Sequence, residues 1–159
     1  MKVFVTGASG FVGSVIVKEL LGAGHQVIGL PVCEKSANVI SQIGAEVLKG
    51  DLEDLEILRQ GSKNADGVIH AGFFHDFTQF AKAVEIDKNA INAMGEVLIG
   101  TNKPIVVTAG ILGFHLSMEK LRKKVNHQVF RVLQKQLLWC LQKKGVNASV
   151  VRLSLNCSR

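Results

Sequence analysis

The sequence predicts a doubly wound α/β fold: a parallel sheet with helices on both faces. Three observations carry that prediction. Short apolar runs recur along the whole chain, stretches of helical spacing separate them, and the first run breaks directly into glycines at three-residue intervals before a helical pattern begins. Strands that alternate with helices read as βαβ units, whose crossovers require a parallel sheet. At 159 residues with 47% hydrophobic content, one core is expected, so residues 1–153 read as one domain and 154–159 as a tail.

The first element is the apolar run Met1 to Val5. It passes into Thr6-Gly7-Ala8-Ser9-Gly10-Phe11-Val12-Gly13, after which Ser14 to Leu21 carries a helix. Glycines so spaced let the backbone turn sharply off a strand, approach a phosphate, and pack the new helix on the sheet. The helix then points free N–H groups and the positive end of its dipole at an anion. Nucleotide binding is the expectation, against a turn that is glycine-rich for steric reasons alone.

Gly22-Ala23-Gly24 stops that helix, and His25 to Leu30 is the second strand. Its tip, Pro31-Val32-Cys33-Glu34-Lys35-Ser36, falls where a dinucleotide-binding unit meets the adenosine ribose. A carboxylate there suits a 2′-hydroxyl and a basic group suits a 2′-phosphate. The strand end has no acid, while Lys35 and Ser36 suit a phosphate, so NADP is favoured over NAD. Glu34 turning inward would reverse that preference, and Lys35 also reads as a solvated lysine. Ser36 to Ile43 is a short helix ended by Gly44, and Ala45 to Lys49 is the third strand. Asp51 and Leu52 follow it, either as an adenine-side carboxylate with an apolar wall or as the cap region of the helix from Leu55 to Gln60.

Gly67 to His70 is the fourth strand, and Ala71-Gly72 at its end allows close approach to a ribose and phosphates. His70 reads as a packed residue; neither it nor His75 has a partner at metal-ligand spacing, so no metal is expected. A helix is predicted from Phe77 to Ile99, with Phe80, Val84, Ile91 and Met94 on its apolar stripe. Ile105 to Thr108 is the fifth strand, stopping at Ala109-Gly110. Thr108 is a hydroxyl at a strand's carboxyl end, able to polarise a substrate carbonyl or to serve only as a β-branched strand residue. A helix over Leu116 to Gln142, with Leu121, Val125, Val129, Val132, Leu133, Leu137 and Leu141 as its stripe, leads past Gly145 to the sixth strand, Asn147 to Leu153.

With Thr6 to Gly13, Gly50-Asp51-Leu52 and Gly67-Val68-Ile69-His70-Ala71 in view, the chain resembles the extended and atypical short-chain dehydrogenases/reductases, and most of all their NAD-dependent epimerase/dehydratase group. The resemblance runs from Met1 to about Gly110 and returns from Gly145 to Leu153. It implies a Rossmann sheet of order 3-2-1-4-5-6, a nicotinamide dinucleotide along the strand ends, and hydride exchange with a carbonyl or alcohol. Carried onto this chain, Gly7, Gly10 and Gly13 form the pyrophosphate turn with Phe11 and Val12 at the helix start. Thr6 and Ser9 belong to the same turn. Asp51 and Leu52 match the adenine site, Ala71 and Gly72 the ribose side, and Thr108 approximates the catalytic Ser/Thr.

Two departures limit the catalytic expectation. The family's usual acid is a tyrosine with a lysine four residues later, and this chain contains no tyrosine. Six strands also leave no room for a substrate domain. The expected function is therefore the NAD(P)-binding part of a carbonyl- or alcohol-directed oxidoreductase with weak or no turnover, the alternative being a non-catalytic, NADP(H)-responsive regulatory module. A sheet that ends at its sixth strand leaves an uncovered edge, which favours a homodimer.

The formal charge of +6 is local. Residues 115–144 hold eight Lys/Arg against Glu119, or +7, and the rest sums to −1. A lysine-rich face opposite an apolar stripe is usually solvated, so nucleic acid is not expected as a partner. The absence of an ~18-residue apolar run argues against a membrane span. Cys33, Cys140 and Cys157 are far apart and read as small apolar residues of a cytoplasmic protein. One further expectation concerns the odd basic segment: with suitable codons, Val132 to Gln142 and Leu155 to Arg159 back-translate in another frame to family-like stretches, which suggests out-of-frame translation over residues 113–143 and 155–159.

Overall fold

The computed structural model describes residues 1–74, 77–111 and 136–154. The described elements, in chain order, are β1 (Lys2–Thr6), α1 (Phe11–Gly22), β2 (Gln26–Leu30), α2 (Glu34–Ile43), β3 (Glu46–Val47), α3 (Leu55–Lys63), β4 (Gly67–His70), a 3-10 turn (Phe77–Gln79), α4 (Phe80–Glu96) and β5 (Pro104–Ile111). Residues 136–143 are helical and are called α5. The last strand is β6 (Asn147–Ser154). All strand pairs are parallel, and the sheet order is β3-β2-β1-β4-β5-β6, a Rossmann sheet as expected.

Strand periodicity divides the core in two. Phe4, Ile28, Val68, Ile105, Val107 and Ala148 face one side, where Leu58 of α3, Ile91 and Met94 of α4, and Leu138 and Leu141 of α5 cover them. The intervening residues Val3, Val5 and Val27 face the other side, against Val17 of α1 and Ile40 of α2. The register keeps these sets aligned, since Phe4 pairs with Ile28 and Val68, and Val5 with Ile69. Successive side chains of a strand point to opposite faces, so an apolar run can serve both layers.

Several expected boundaries move. The predicted helix from Phe77 to Ile99 is a 3-10 turn followed by α4, which stops at Glu96. Bonds from Leu98 N to Gly95 O and from Thr101 N to Leu98 O tighten the chain beyond it. Its buried face is Ala83, Ile86, Asp87, Ala90, Ile91 and Met94, whereas Phe80 and Val84 are only half-buried. β3 shrinks to two residues, because it is an edge strand with β2 as its one neighbour in the sheet. β5 lengthens through Ala109 and Gly110, which pair with Arg152 and Leu153. Pro104 begins β5, a place where its missing N–H does little harm.

Among the described residues no helix is long and apolar enough to cross a membrane. The expectations placed on residues 112–135 and 155–159, namely most of the basic helix, most of the proposed out-of-frame segment and Cys157, lie outside the described residues, as does His75.

Candidate functional site

The site begins where β1 ends. Thr6 is buried, and Gly7 then takes φ +68, a left-handed conformation that side chains disfavour. A Cβ on Gly7 would also lie 2.6 Å from the Gly72 nitrogen and 2.7 Å from the Ala71 carbonyl carbon. The turns after β1 and β4 thus touch backbone to backbone. Gly10 N donates to Gly7 O at 2.9 Å and closes the turn. A Cβ on Gly13 would fall on the Gly7 carbonyl, so that glycine lets α1 pack against its own entry turn.

Every α-helix begins with amides that lack a partner within the helix. In α3 the protein supplies one: Asp54 is the N-cap and accepts from Ile57 N at 3.2 Å, with Glu56 in the first turn. In α1 it does not. Gly10 is the N-cap, makes no side-chain cap, and the first turn carries no acid. The first-turn amides of Phe11, Val12 and Gly13 thus have no side-chain cap, as is also the case in α2 and α4, and with the positive dipole end they can face an anion. Phe11 is 90% exposed, so its backbone rather than its ring belongs to the turn. Ser9 and Val12 are half-buried beside it.

Leu52 reaches the same region, and Asp51 stands before it in the turn that leads to α3. Asp51 Oδ1 accepts from Glu53 N at 2.8 Å and Asp54 N at 3.1 Å, which orients the exposed carboxylate while it organises the turn before α3. These bonds are the ones its cap-region reading calls for. Leu52 Cδ1 lies 3.4 Å from where a Cβ on Gly72 would stand, which joins Leu52 to the end of β4. Ala71 and Gly72 are half-buried there. Lys35 and Ser36 occupy the first turn of α2, after Leu30, whose register partner is Thr6.

Cys33 and Thr108 have hydrogen-bond partners that the sequence did not show, and Thr108 is the β-branched strand residue of its second reading. Cys33, expected as a small apolar residue, is exposed, as is Cys140, and the Cys33 Sγ lies 3.2 Å from Ser36 Oγ. The Ser36 hydroxyl, and secondarily its backbone amide, hold the thiol below its ordinary range. Ser36 therefore arrives with a hydrogen-bond partner. Thr108 is half-buried, and its hydroxyl donates to the His70 carbonyl at 3.2 Å, tying β5 to β4. As placed, its proton is committed to the sheet.

His70 is packed, as its sequence reading had it, but its partner Asp87 went unseen in the sequence. His70 is buried, with Nδ1 2.7 Å from Thr6 Oγ1 and Nε2 3.0 Å from Asp87 Oδ1. The available signal was Asp87 itself, a carboxylate in step with Ala83, Ala90 and Met94 on the apolar face of α4. Among the described residues no group of three His, Cys, Asp or Glu is arranged to hold a metal. A hollow of about 690 Å³ lies elsewhere, between α5 and the first half of β6, lined by Gln136, Leu138, Trp139 and Ala148 among others.

The sequence profile of the NAD dependent epimerase/dehydratase family matches residues 3–99, which contain the glycine turn, Asp51-Leu52 and Ala71-Gly72. This chain belongs to that family. An uncharacterized protein of Saccharomyces cerevisiae is 44% identical over 158 residues, an alignment covering 96% of this chain and 53% of the relative. The chain thus spans about half the length of that relative. Among solved structures, vestitone reductase from alfalfa superposes with a TM-score of 0.71 at 17% identity, covering 96% of this chain and 56% of the reductase. A short-chain dehydrogenase/reductase superfamily protein from Agrobacterium tumefaciens, solved with bound NAD, gives 0.70 at 18% identity over 97% of this chain and 48% of its own. At such identities the structural likeness bears on the fold alone. The family is one of nicotinamide-dinucleotide-binding epimerases and dehydratases. The residues of this member fit such a group, because the N-terminus of α1 has no side-chain cap and its glycine turn packs without side chains against Ala71 and Gly72 at the strand ends.

Proposed function

We propose that this domain binds NADP(H), and NAD(H) more weakly, across the carboxyl ends of β1, β2 and β4, as the cofactor-binding part of an oxidoreductase acting on a carbonyl or alcohol. The observation that carries this reading is the uncapped start of α1, whose glycine turn is packed against Ala71 and Gly72. The pyrophosphate would take the amides of Phe11, Val12 and Gly13, with Gly7, Gly10, Thr6 and Ser9 forming the turn beneath it. Adenine would lie by Asp51 and Leu52, and the ribose and phosphates by Ala71 and Gly72. Lys35 and Ser36, after β2, would meet a 2′-phosphate.

The bound nicotinamide would supply or take up a hydride. The chain's own contribution to the accompanying proton is weak, because it has no tyrosine and the hydroxyl of Thr108 already donates to the His70 carbonyl. Thr108 would have to release that bond to polarise a substrate. Binding with little or no turnover is therefore expected of this chain. A cytoplasmic location belongs to the same reading, supported by free thiols at Cys33 and Cys140. So does a homodimer without nucleic-acid or membrane partners. Titration of NADPH and NADH by fluorescence, followed by a carbonyl-reduction assay, tests the proposal. Tighter binding of NADPH with turnover near background is expected. Failure of folded protein to bind either nucleotide overturns it.

A further inference from the structure

A buried polar chain runs under the glycine turn. Thr6 is 0% exposed, His70 1% and Asp87 3%, and they come from β1, β4 and α4. Thr6 and His70 are register partners at the ends of neighbouring strands. Thr6 Oγ1 is 2.7 Å from His70 Nδ1, and His70 Nε2 is 3.0 Å from Asp87 Oδ1. At its other end, the chain reaches the site: Gly72 N donates to Thr6 Oγ1 at 3.2 Å.

Proton accounting orders these bonds. A carboxylate accepts, so Nε2 carries the hydrogen that faces Asp87. The neutral ring then presents a bare Nδ1, which accepts from the Thr6 hydroxyl. With its hydrogen so placed, Thr6 Oγ1 turns a lone pair to the Gly72 amide. The opposite tautomer sets a bare Nε2 against a carboxylate and leaves the Thr6 hydrogen without a place in the chain. A doubly protonated ring has the same second defect. Buried groups tolerate such losses poorly.

We infer that Asp87 is a positioning residue for the dinucleotide site: by holding His70 as its Nε2–H tautomer, it orients the Thr6 hydroxyl to hold the Gly72 amide. That amide is the one against which Gly7 packs, at 2.6 Å from a Gly7 Cβ position. The bond therefore clamps together two turns on which the cofactor would rest. The ends of β1 and β4 are further joined by Ala71 N donating to Thr6 O at 3.2 Å. Asp87 acts on the site through two intermediaries and touches no ligand itself. This inference rests on the dinucleotide reading above.

Two measurements on the full chain test it. In ¹⁵N-histidine NMR near neutral pH, with His70 assigned by the resonances lost in His70→Asn, the neutral Nε2–H tautomer is expected; an imidazolium or the Nδ1–H form overturns the inference. In NADPH titrations, Asp87→Leu is expected to weaken binding roughly tenfold, as loss of one oriented buried hydrogen bond implies. Asp87→Asn, which keeps an acceptor, stays within about twofold of wild type. Equal losses in the two variants would overturn the acceptor role. Thr6→Val removes the hydroxyl with little change of shape and guards against misfolding of Asp87→Leu. It too should lose about tenfold, and Asp87→Leu should add almost nothing to it, because coupled residues are non-additive. Additive losses would mark Asp87 as structural only. If wild type binds neither nucleotide, the functional reading fails and the positioning role with it. If wild type binds and Asp87→Leu binds equally well, the positioning role alone fails.

Discussion

Three glycines of α1 and its entry turn show how one residue type acquires opposite consequences from its surroundings. Gly22 ends α1 with nothing within 4 Å of an added Cβ, so Gly22→Ala should stabilise the chain by about 0.5 kcal/mol through helix propensity. Gly13 is also helical, but its Cβ would fall on the Gly7 carbonyl. Gly13→Ala should therefore destabilise by about 1–3 kcal/mol, as overpacking does. Gly7→Ala adds the cost of a left-handed backbone and should abolish nucleotide binding even where the fold survives. Urea denaturation of the three variants checks the order. Cys33 is the other residue-scale test. Its thiol is depressed, chiefly by the Ser36 hydroxyl, so the thiolate forms at lower pH than in an ordinary cysteine. The alkylation rate by iodoacetamide should accordingly reach half its plateau at lower pH than a model thiol, Ser36→Ala should move the midpoint up, and bound NADPH should slow the reaction.

At the scale of elements, packing is held by close contacts between helix backbone and strand side chains. Gly61 of α3 lies over the Phe4 ring, where an added Cβ would sit 2.7 Å from two ring carbons. Gly61→Ala should thus cost about 1–3 kcal/mol despite alanine's better helix propensity, and Phe4→Leu in the same chain should recover part of the loss. Denaturant midpoints of the single and double variants give the answer. On α4, Ile91 and Met94 are fully buried against the strands. Ile91→Ala should cost about 2–5 kcal/mol by leaving a cavity. Half-buried Val84, which the spacing had placed on the same stripe, should cost less when truncated.

For the whole molecule, the described residues at the β6 end of the sheet include exposed apolar side chains. Val151 is 45% exposed on β6 and Trp139 56% on α5, where Lys143 Nζ lies 3.7 Å from the indole centroid. A sheet end with exposed apolar residues invites association. Sedimentation analysis should show a concentration-dependent dimer, weakened by Val151→Lys; a monomer at every concentration would refute this. The coding DNA tests the frame reading of residues 113–143 and 155–159. A continuous family-like reading in another frame is expected there.

What the sequence by itself determined was the order of strands and helices and the glycine turn. Both are local signals: apolar runs, glycine spacing and helix stops act within a few residues, and Gly67–His70 needed no correction. The asymmetry between α1 and α3 was partly visible as well, since Asp54 is a capping residue and Gly10 is not. Tertiary structure decided the rest. The lengths of β3 and β5 depend on which strands flank them, a non-local fact. Whether Cys33 is exposed, and whether the hydroxyls of Ser36 and Thr108 are already bonded, depends on neighbours brought near by folding. Above all, Thr6, His70 and Asp87 lie 64 and 17 residues apart in the chain. Their union required β4 to pair with β1 and α4 to cross over them, because a buried charge is tolerable only where partners converge on it.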